Sequence, residues 1–380
     1  MAATLNIAVV GAGIGGLTLA VALQRAGFRP RIYERAAELT EVGAGLTLAA
    51  NAMRAYDFIG LGAAIRKLSD CPKRAALKDF VSGALLNELE LARSFQQIHR
   101  ADMLAILVNA VTSTDPDAIQ LGCEFDSLES ADPSRARFTS GRTVEADLLI
   151  GCDGNRSAVR QALFGPDRAE FLNYVAWRGL VPAAAVQDVI ANYDTGAYVG
   201  SGRSLVRYRI RGGLLVNYVA FARKTEWTSD SWSLRSSVAE MEREFGGGSP
   251  DVMSIIRATP ADASYKWGLI GRPPVPEWTK GRVTLLGDAA HPMLPFLGQG
   301  AGMAIEDALV LARALTVAKD PVEALARYEA ARRPRSTLVT QGARHAGFRM
   351  HGVDDTETSD AARTYTEAFV ADYDPATAPL

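Results

Sequence analysis

The sequence predicts an α/β fold: a domain built on a parallel sheet, interleaved with a second, mostly antiparallel β-sheet domain and followed by C-terminal helices. Three observations predict it. A short apolar run at 5–10 is followed by a glycine-rich turn and a helical pattern, the order of a strand buried on both faces that feeds a helix. A middle stretch, 172–270, alternates in the manner of antiparallel strands. Buried-strand patterns at 144–150 and 283–286, each running into glycine, bring the chain back to the first sheet after it has built the other.

Length and composition set the bounds. A chain of 380 residues corresponds to about 2.5 domains. Hydrophobic residues make up 48% and charged residues 22%, which excludes a disordered or fibrous chain. A net charge of −2 supplies no basic field for nucleic acid. Three cysteines, Cys71, Cys123 and Cys152, form no C-x-x-C pair, so neither a disulfide framework nor a metal site is indicated and a reducing compartment is expected. The most apolar stretch, 5–23, has no basic leader and is interrupted by glycines, so it reads as strand, turn and helix, not as a membrane span.

Each element has its reason. Residues 17–26 are helical, and Gly27 is the expected C-cap. Residues 31–34 form a second strand, and 51–68 a helix. Alternation at 73–97 predicts antiparallel strands; 100–112 is helical; strands near 119–129 and 135–139 precede a turn at Gly141. In the middle stretch, strands at 175–180, 204–211 and 214–222 surround one helix near 233–245. Helices are predicted at 302–315 and at 321–341, the latter interrupted by Pro334. The last thirty or so residues read as a helix and a frayed tail. The boundaries are therefore 1–72, 98–171 and 271–345 for the first, discontinuous domain, 73–97 and 172–270 for the second, and 346–380 for the C-terminal segment.

Gly11-Ala12-Gly13-Ile14-Gly15-Gly16 fits G-x-G-x-x-G between a strand and a helix. The first glycine permits the tight turn, the second lets backbone approach a pyrophosphate, and the third lets strand and helix pack closely. Glu34 closes the second strand, where a carboxylate accepts ribose hydroxyls. A purely structural glycine turn is the competing reading; strand, helix and acid together favour a dinucleotide.

Two further segments decide which. Residues 146–157 end a strand in Asp153-Gly154, and 282–292 end another in Gly287-Asp288. With these three motifs in order, the sequence from about 5 to about 335 resembles the group A flavoprotein monooxygenases, the para-hydroxybenzoate hydroxylase-like enzymes. The resemblance implies a Rossmann-like (GR2-type) FAD-binding domain, one FAD, NADH or NADPH as co-substrate, and O2. Such enzymes reduce the flavin, add O2 to it, and deliver oxygen from a C4a-hydroperoxide to an electron-rich ring. It implies that Gly11, Gly13, Ile14, Gly15 and Gly16 cradle the pyrophosphate, and that Glu34 with Arg35 takes the adenosine ribose. It places Gly45, Arg100, Asp153 and Asp288 at the cofactor, Asp288 on the ribityl chain. Gly298, Gly300, Ala301 and Gly302 match the loop beside the isoalloxazine ring, with Pro295 and Gln299 at the reacting centre. His291 reads as structural, and Glu306-Asp307 as a capping or packing pair.

On the substrate side, the hairpin 204–222 resembles a stretch of salicylate, 3-hydroxybenzoate and 6-hydroxynicotinate hydroxylases in which a histidine and a tyrosine four apart face the flavin. Tyr208 matches the tyrosine and is the expected pocket donor; Ser204 stands where the histidine would be. Thr47 stands in place of a second histidine. Both departures remove a group that titrates near neutral pH, which points away from 6-hydroxynicotinate and toward a base placed elsewhere or a ring that needs less help. Arg178 is a further substrate candidate. Arg207, Arg209 and Arg211 lie opposite Tyr208 and read as a solvated sheet face, and Asn217 and Tyr218 carry no assigned role. The implied function is hydroxylation of a small aromatic or N-heteroaromatic acid. A reductase on the same fold without oxygen insertion is the alternative, and a non-turnover FAD-binding protein a third reading. A cytoplasmic monomer or homodimer is expected, with no nucleic-acid or membrane partner.

Overall fold

The computed structural model describes residues 5–39, 44–91, 95–229, 234–352 and 367–380. The first sheet has six strands, in the order Thr279–Lys280, Val283–Leu285, Leu148–Gly151, Ile7–Val10, Arg31–Tyr33, Ile119–Gln120. All neighbours are parallel except the edge strand Thr279–Lys280. Residues 7–10 and 148–151 are buried on both faces, as their unbroken apolar runs require. The helices Ile14–Arg25 and Gly300–Val317 cover this sheet and share one core with it.

The second sheet has eight strands, in the order Leu234–Arg235, Ser264–Gly271, Glu170–Pro182, Leu215–Arg223, Arg203–Ile210, Thr195–Gly200, Arg74–Asp79, Leu85–Glu90. One neighbouring pair, Thr195–Gly200 with Arg74–Asp79, is parallel. Strand alternation divides its side chains. Trp177, Leu205, Tyr218 and Ala220 pack outward on the helices Val238–Phe245 and Pro250–Arg257. Tyr174, Ala176 and Phe221 face inward, toward Leu294, Phe296 and Leu297 of the loop that precedes the helix Gly300–Val317. Among the described residues, no helix is long and apolar enough to cross a membrane.

The fold departs from expectation in several places. The helix expected over 51–68 is two, Ala50–Phe58 and Gly62–Leu68, divided at Gly60, whose φ is +77°. A second helix, Pro250–Arg257, follows the expected one. The helix from Pro321 runs through Pro334 to Met350. Arg207 is not solvated: it is fully buried and donates to the carbonyls of Tyr193 and Val189 at 2.6 and 2.9 Å. The final residues are not frayed either, because Arg313 donates to the carbonyls of Pro375 and Ala378 at 2.7 and 2.9 Å.

The first turn is tight enough to exclude a methyl group. Gly11 holds φ at +105°, and a Cβ on Gly16 would lie 2.1 Å from the Gly11 carbonyl oxygen. A Cβ on Gly13 would meet nothing within 4 Å. Gly16→Ala is therefore expected to lose about 1–3 kcal/mol in denaturant unfolding. Gly13→Ala should stay within about 0.5 kcal/mol of the parent. Equal losses in the two variants would refute this account of the turn.

Candidate active site

The glycine turn leaves a helix end without a cap. Gly13 is the N-cap of Ile14–Arg25, no side chain caps it, and no acidic residue lies in the first turn. The leading amides are thus available to an anion, and the space at Gly13 lets one approach. Glu34 braces the turn from the next strand: its Oε2 accepts from the Ala12 N–H at 2.8 Å and its Oε1 from the Ala36 N–H at 2.9 Å. Arg35 beside it is exposed.

The Gly-Asp turn lies next to the glycine turn: a Cβ on Gly15 would stand 2.9 Å from the Leu286 side chain. Asp288 is exposed to solvent yet ringed by protein, as a side chain lining an open cleft is. Desolvation raises its pKa, while His291, Arg100 and Arg160 pull it down. Arg100 begins the helix Arg100–Thr114 and is the one expected cofactor residue whose charge reaches Asp288. Arg160, which sequence reasoning passed over, is buried; it donates to the Ala289 carbonyl at 2.8 Å and pairs with Asp167 at 3.0 Å. Asp153 accepts from Ser157 Oγ at 2.5 Å and from the Val159 N–H at 3.1 Å, at the start of the helix that follows it. Gly154 beside it has φ +78°.

Pro295 lies in a short turn that ends at Gly298, φ +63°. Gln299 then opens the helix Gly300–Val317, again with no side-chain cap, so the amides of Gly300, Ala301 and Gly302 have no intrahelical acceptor. Gln299 is buried; Asn51 donates to its Oε1 at 3.2 Å, and a Cβ on Gly302 would stand 2.7 Å from the same oxygen. Two neighbouring uncapped helix starts, an open approach at Gly13 and a carboxylate at Asp288 fit FAD, which carries an anionic pyrophosphate, sugar hydroxyls and a flat ring.

Beneath this loop lies a cluster of buried charge. Glu306 and Asp307, both fully buried, are no capping pair. Arg332 reaches Glu306 and Asp307 at 2.7 Å each, and Arg335 reaches Glu306 at 2.8 Å. Asn51 donates to Glu306 at 2.6 Å. Asp307 also accepts from the Gly287 N–H at 3.1 Å and lies 2.5 Å from His291 Nε2. Burial alone would raise Asp307, but His291 and Arg332 overcome it and hold the carboxyl at about 2.

The inward face of the second sheet lies across from the loop. Tyr208 is buried and hydrogen-bonds to Thr47; burial pushes its phenol well above the usual value, with the Thr47 bond opposing. Its ring lies against Gly45, where a Cβ would stand 2.5 Å away. Opposite Tyr208 in register, Asn217 accepts from the Gly45 N–H at 2.7 Å, while its buried Nδ2 has no hydrogen-bond partner among the described residues. Arg178 pairs with Val219 on the same face and stacks over Trp267 at 5.2 Å. Ser204 lies 3.0 Å from His351 Nε2. Gly43, the other glycine of the segment before Thr47, lies outside the described residues. Asn217 and His351 carried no motif signal; only the sheet register and the end of a distant helix bring them here.

Comparison with known proteins accords with this geometry. Residues 4–343 match the model of the FAD binding domain family. The 3-amino-4-hydroxybenzoate 2-monooxygenase PtnB3 of Streptomyces platensis is 36% identical over 356 residues, 91% of this chain and 88% of the relative. The 3-hydroxybenzoate 6-hydroxylase 1 of Aquipseudomonas alcaligenes is 33% identical over 350 residues, 90% of this chain and 88% of the relative. Among solved structures, Klebsiella pneumoniae HpxO complexed with FAD and uric acid superposes with a TM-score of 0.83 at 27% identity, covering 97% of this chain and 95% of that one.

The charge cluster predicts a pH signature. Asp307 is depressed from 3.8 to about 2, so its contribution is present above 3.8 and is lost as pH falls toward 2. Asp307→Asn is expected to cost about 3–5 kcal/mol at neutral pH, because it leaves the buried Arg332 and Arg335 to share the one carboxylate of Glu306. The gap to the parent should then narrow by about 2 kcal/mol across that window, measured by denaturant titration. A gap that stays constant with pH would show that Asp307 is not held as an anion.

Proposed function

We propose a substrate class and a set of residue roles from one premise: this chain belongs to the FAD-binding domain family and is an FAD-dependent aromatic monooxygenase. It uses FAD and consumes NAD(P)H and O2. The proposed substrate is a single aromatic ring carrying an acidic group and a hydroxyl, as in the hydroxybenzoates of the relatives. The observation that carries this is the inward sheet face at Tyr208 and Asn217. There a phenol held protonated by burial and a buried amide with no partner among the described residues present two neutral donors beside the proposed flavin loop. Two donors suit a carboxylate, and Arg178 on the same face adds a positive charge.

The remaining roles follow the cleft. Gly11, Gly13 and Gly16, with the amides that open Ile14–Arg25, take the pyrophosphate; Glu34 takes the adenosine ribose. Asp288 and Arg100 hold the ribityl chain. Pro295, Gln299 and the amides of Gly300–Gly302 flank the ring, where positive helix-end dipoles favour negative charge. Bound FAD supplies the oxygen-transfer chemistry. The protein's part is to orient the aromatic ring against it and to keep water out.

Purified holoenzyme should oxidise NADH or NADPH faster when given 3-hydroxybenzoate, 3-amino-4-hydroxybenzoate, salicylate or 6-hydroxynicotinate. O2 should be consumed and at least one hydroxylated product formed. Stimulated turnover that persists without O2 would sink the assignment, and no stimulation by any of the four would sink the substrate class. Asp288→Ala should yield largely flavin-free protein after gel filtration. Tyr208→Phe should keep its flavin but lower the fraction of NAD(P)H coupled to product by about tenfold, since a neutral hydrogen bond is worth about 1 kcal/mol and more when its loss leaves a partner unpaired. Unchanged coupling would remove Tyr208 from the pocket.

A further inference from the structure

Ser204 and Thr47 stand where the resembled hydroxylases carry histidines, and each engages a partner here. Thr47 bonds to Tyr208. Ser204 is fully buried on the strand Arg203–Ile210, on the same face as Tyr208. Its Oγ lies 3.0 Å from Nε2 of His351, a residue 147 positions away that follows the end of the helix Pro321–Met350. Nδ1 of His351 is 2.8 Å from the Gly347 carbonyl. A carbonyl only accepts, so Nδ1 carries the hydrogen and Nε2 of the neutral ring is an acceptor. The Ser204 hydroxyl therefore donates to His351.

The ring is fixed. It packs against Tyr174 and Phe296 at centroid distances of 4.7 and 5.4 Å, and Phe296 belongs to the loop beside the expected flavin ring. The His351 carbonyl accepts from the Gly202 N–H at 3.2 Å, which ties the histidine to the strand that bears Ser204. Burial holds the imidazole below its usual value of 6.5; the Gly347 bond opposes this, and Arg223 at the end of Leu215–Arg223 adds to it. Tyr174 on Glu170–Pro182 is the other titratable group against the ring, and burial keeps its phenol protonated. The histidine is thus neutral at pH 7, with one lone pair aimed at Ser204.

We propose that Ser204 and His351 form the proton-accepting pair of the substrate pocket, the strand histidine being replaced by a serine that relays to a histidine delivered from the C-terminal helix. The substrate hydroxyl gives its proton to Ser204 Oγ as the Ser204 proton moves to His351 Nε2. One O–H bond breaks on the substrate and one on Ser204; one O–H bond forms on Ser204 and one N–H bond on His351. The ring oxygen keeps the electron pair, and the imidazolium carries the positive charge. The relay rests on the hydroxyl-bearing substrate proposed above. Ser204 touches the substrate; His351 acts through it.

The test compares holoenzyme of the parent with His351→Gln, Ser204→Ala and Ser204→Thr. Two readouts are followed from pH 5 to 9: ultraviolet difference spectra of the four phenols or hydroxyacids named above, which report ionisation of the bound ring hydroxyl, and kcat and KM for hydroxylation. The parent should ionise the bound hydroxyl and lose kcat as pH falls through a limb below 6.5, the ordinary value for the imidazole. His351→Gln and Ser204→Ala should retain FAD, lose the ionisation signature and the limb, and lower kcat about a hundredfold at pH 7. KM should move by less than about threefold. Ser204→Thr, which keeps the hydroxyl, should restore most of both signals.

A parent-like limb and signature in His351→Gln overturns the pair, as does equal behaviour of Ser204→Ala and Ser204→Thr. Absence of ionisation of any of the four compounds in the parent also overturns it. Ionisation that depends on His351 in a parent that hydroxylates none of the four supports the pair while the substrate class fails.

Discussion

Two carboxylates with no access to water constrain everything around them. Glu306 and Asp307 lie on the helix Gly300–Val317, and both are fully buried. Left unpaired, each would cost several kcal/mol. The fold answers with Arg332 and Arg335 from the helix Pro321–Met350, so the two helices must lie side by side in one register. From this anchor the turns around Asp288 and Gln299 are built outward. Asp307 takes the Gly287 N–H and His291, fixing the turn that carries Asp288. Glu306 takes Asn51, and Asn51 holds Gln299 at the helix start. Arg335 stacks on Tyr373 at 3.9 Å and donates to the Phe369 and Val370 carbonyls, closing the C-terminal segment over the cluster.

The same cluster explains where the sequence could and could not be read. The nucleotide-type half was legible because its signals are local: an unbroken apolar strand, glycines at fixed spacing, an acid at the next strand end. The charge cluster joins residues about thirty positions apart, for which no periodicity exists. Pro334 illustrates the consequence. A proline inside a helix costs about 3 kcal/mol, which argues for a break. Here Arg332 and Arg335 flank it, both tied to buried carboxylates, and the helix runs on to Met350. Tertiary pairing overrides the local preference, and only for that reason does the chain reach His351.

The outer face of the second sheet failed for a related reason. Arg207 alternates with Tyr208 and reads as a solvated charge, but its burial depends on what covers that face. The covering helix Pro250–Arg257 is eight residues long, and its buried Val252, Ile255 and Ile256 are β-branched, so the pattern reads equally as strand. Once the helix is in place, Arg207 needs acceptors, and the carbonyls of Val189 and Tyr193 provide them. The inner face was better read, because Tyr208 and Ser204 follow from alternation alone.

That inner face has a polarity that follows from its two departures from the resembled hydroxylases. Tyr208 and Ser204 are four residues apart on one strand, about 13 Å along it. At the Tyr208 end, burial keeps the phenol protonated against the opposing Thr47 bond, and Asn217 adds an amide hydrogen: both groups donate. At the Ser204 end, His351 is held neutral with its acceptor turned inward: this end takes a proton. A pocket that donates at one edge and accepts at the other fits a ring with its acidic group at the first and its hydroxyl at the second. Deprotonation at the Ser204 end enriches the ring in electrons beside Phe296 and the flavin loop, where oxygen transfer requires it. Replacing two histidines by hydroxyls thus need not remove base chemistry from the pocket; it moves the base to the C-terminal helix, whose position the buried carboxylates already dictate.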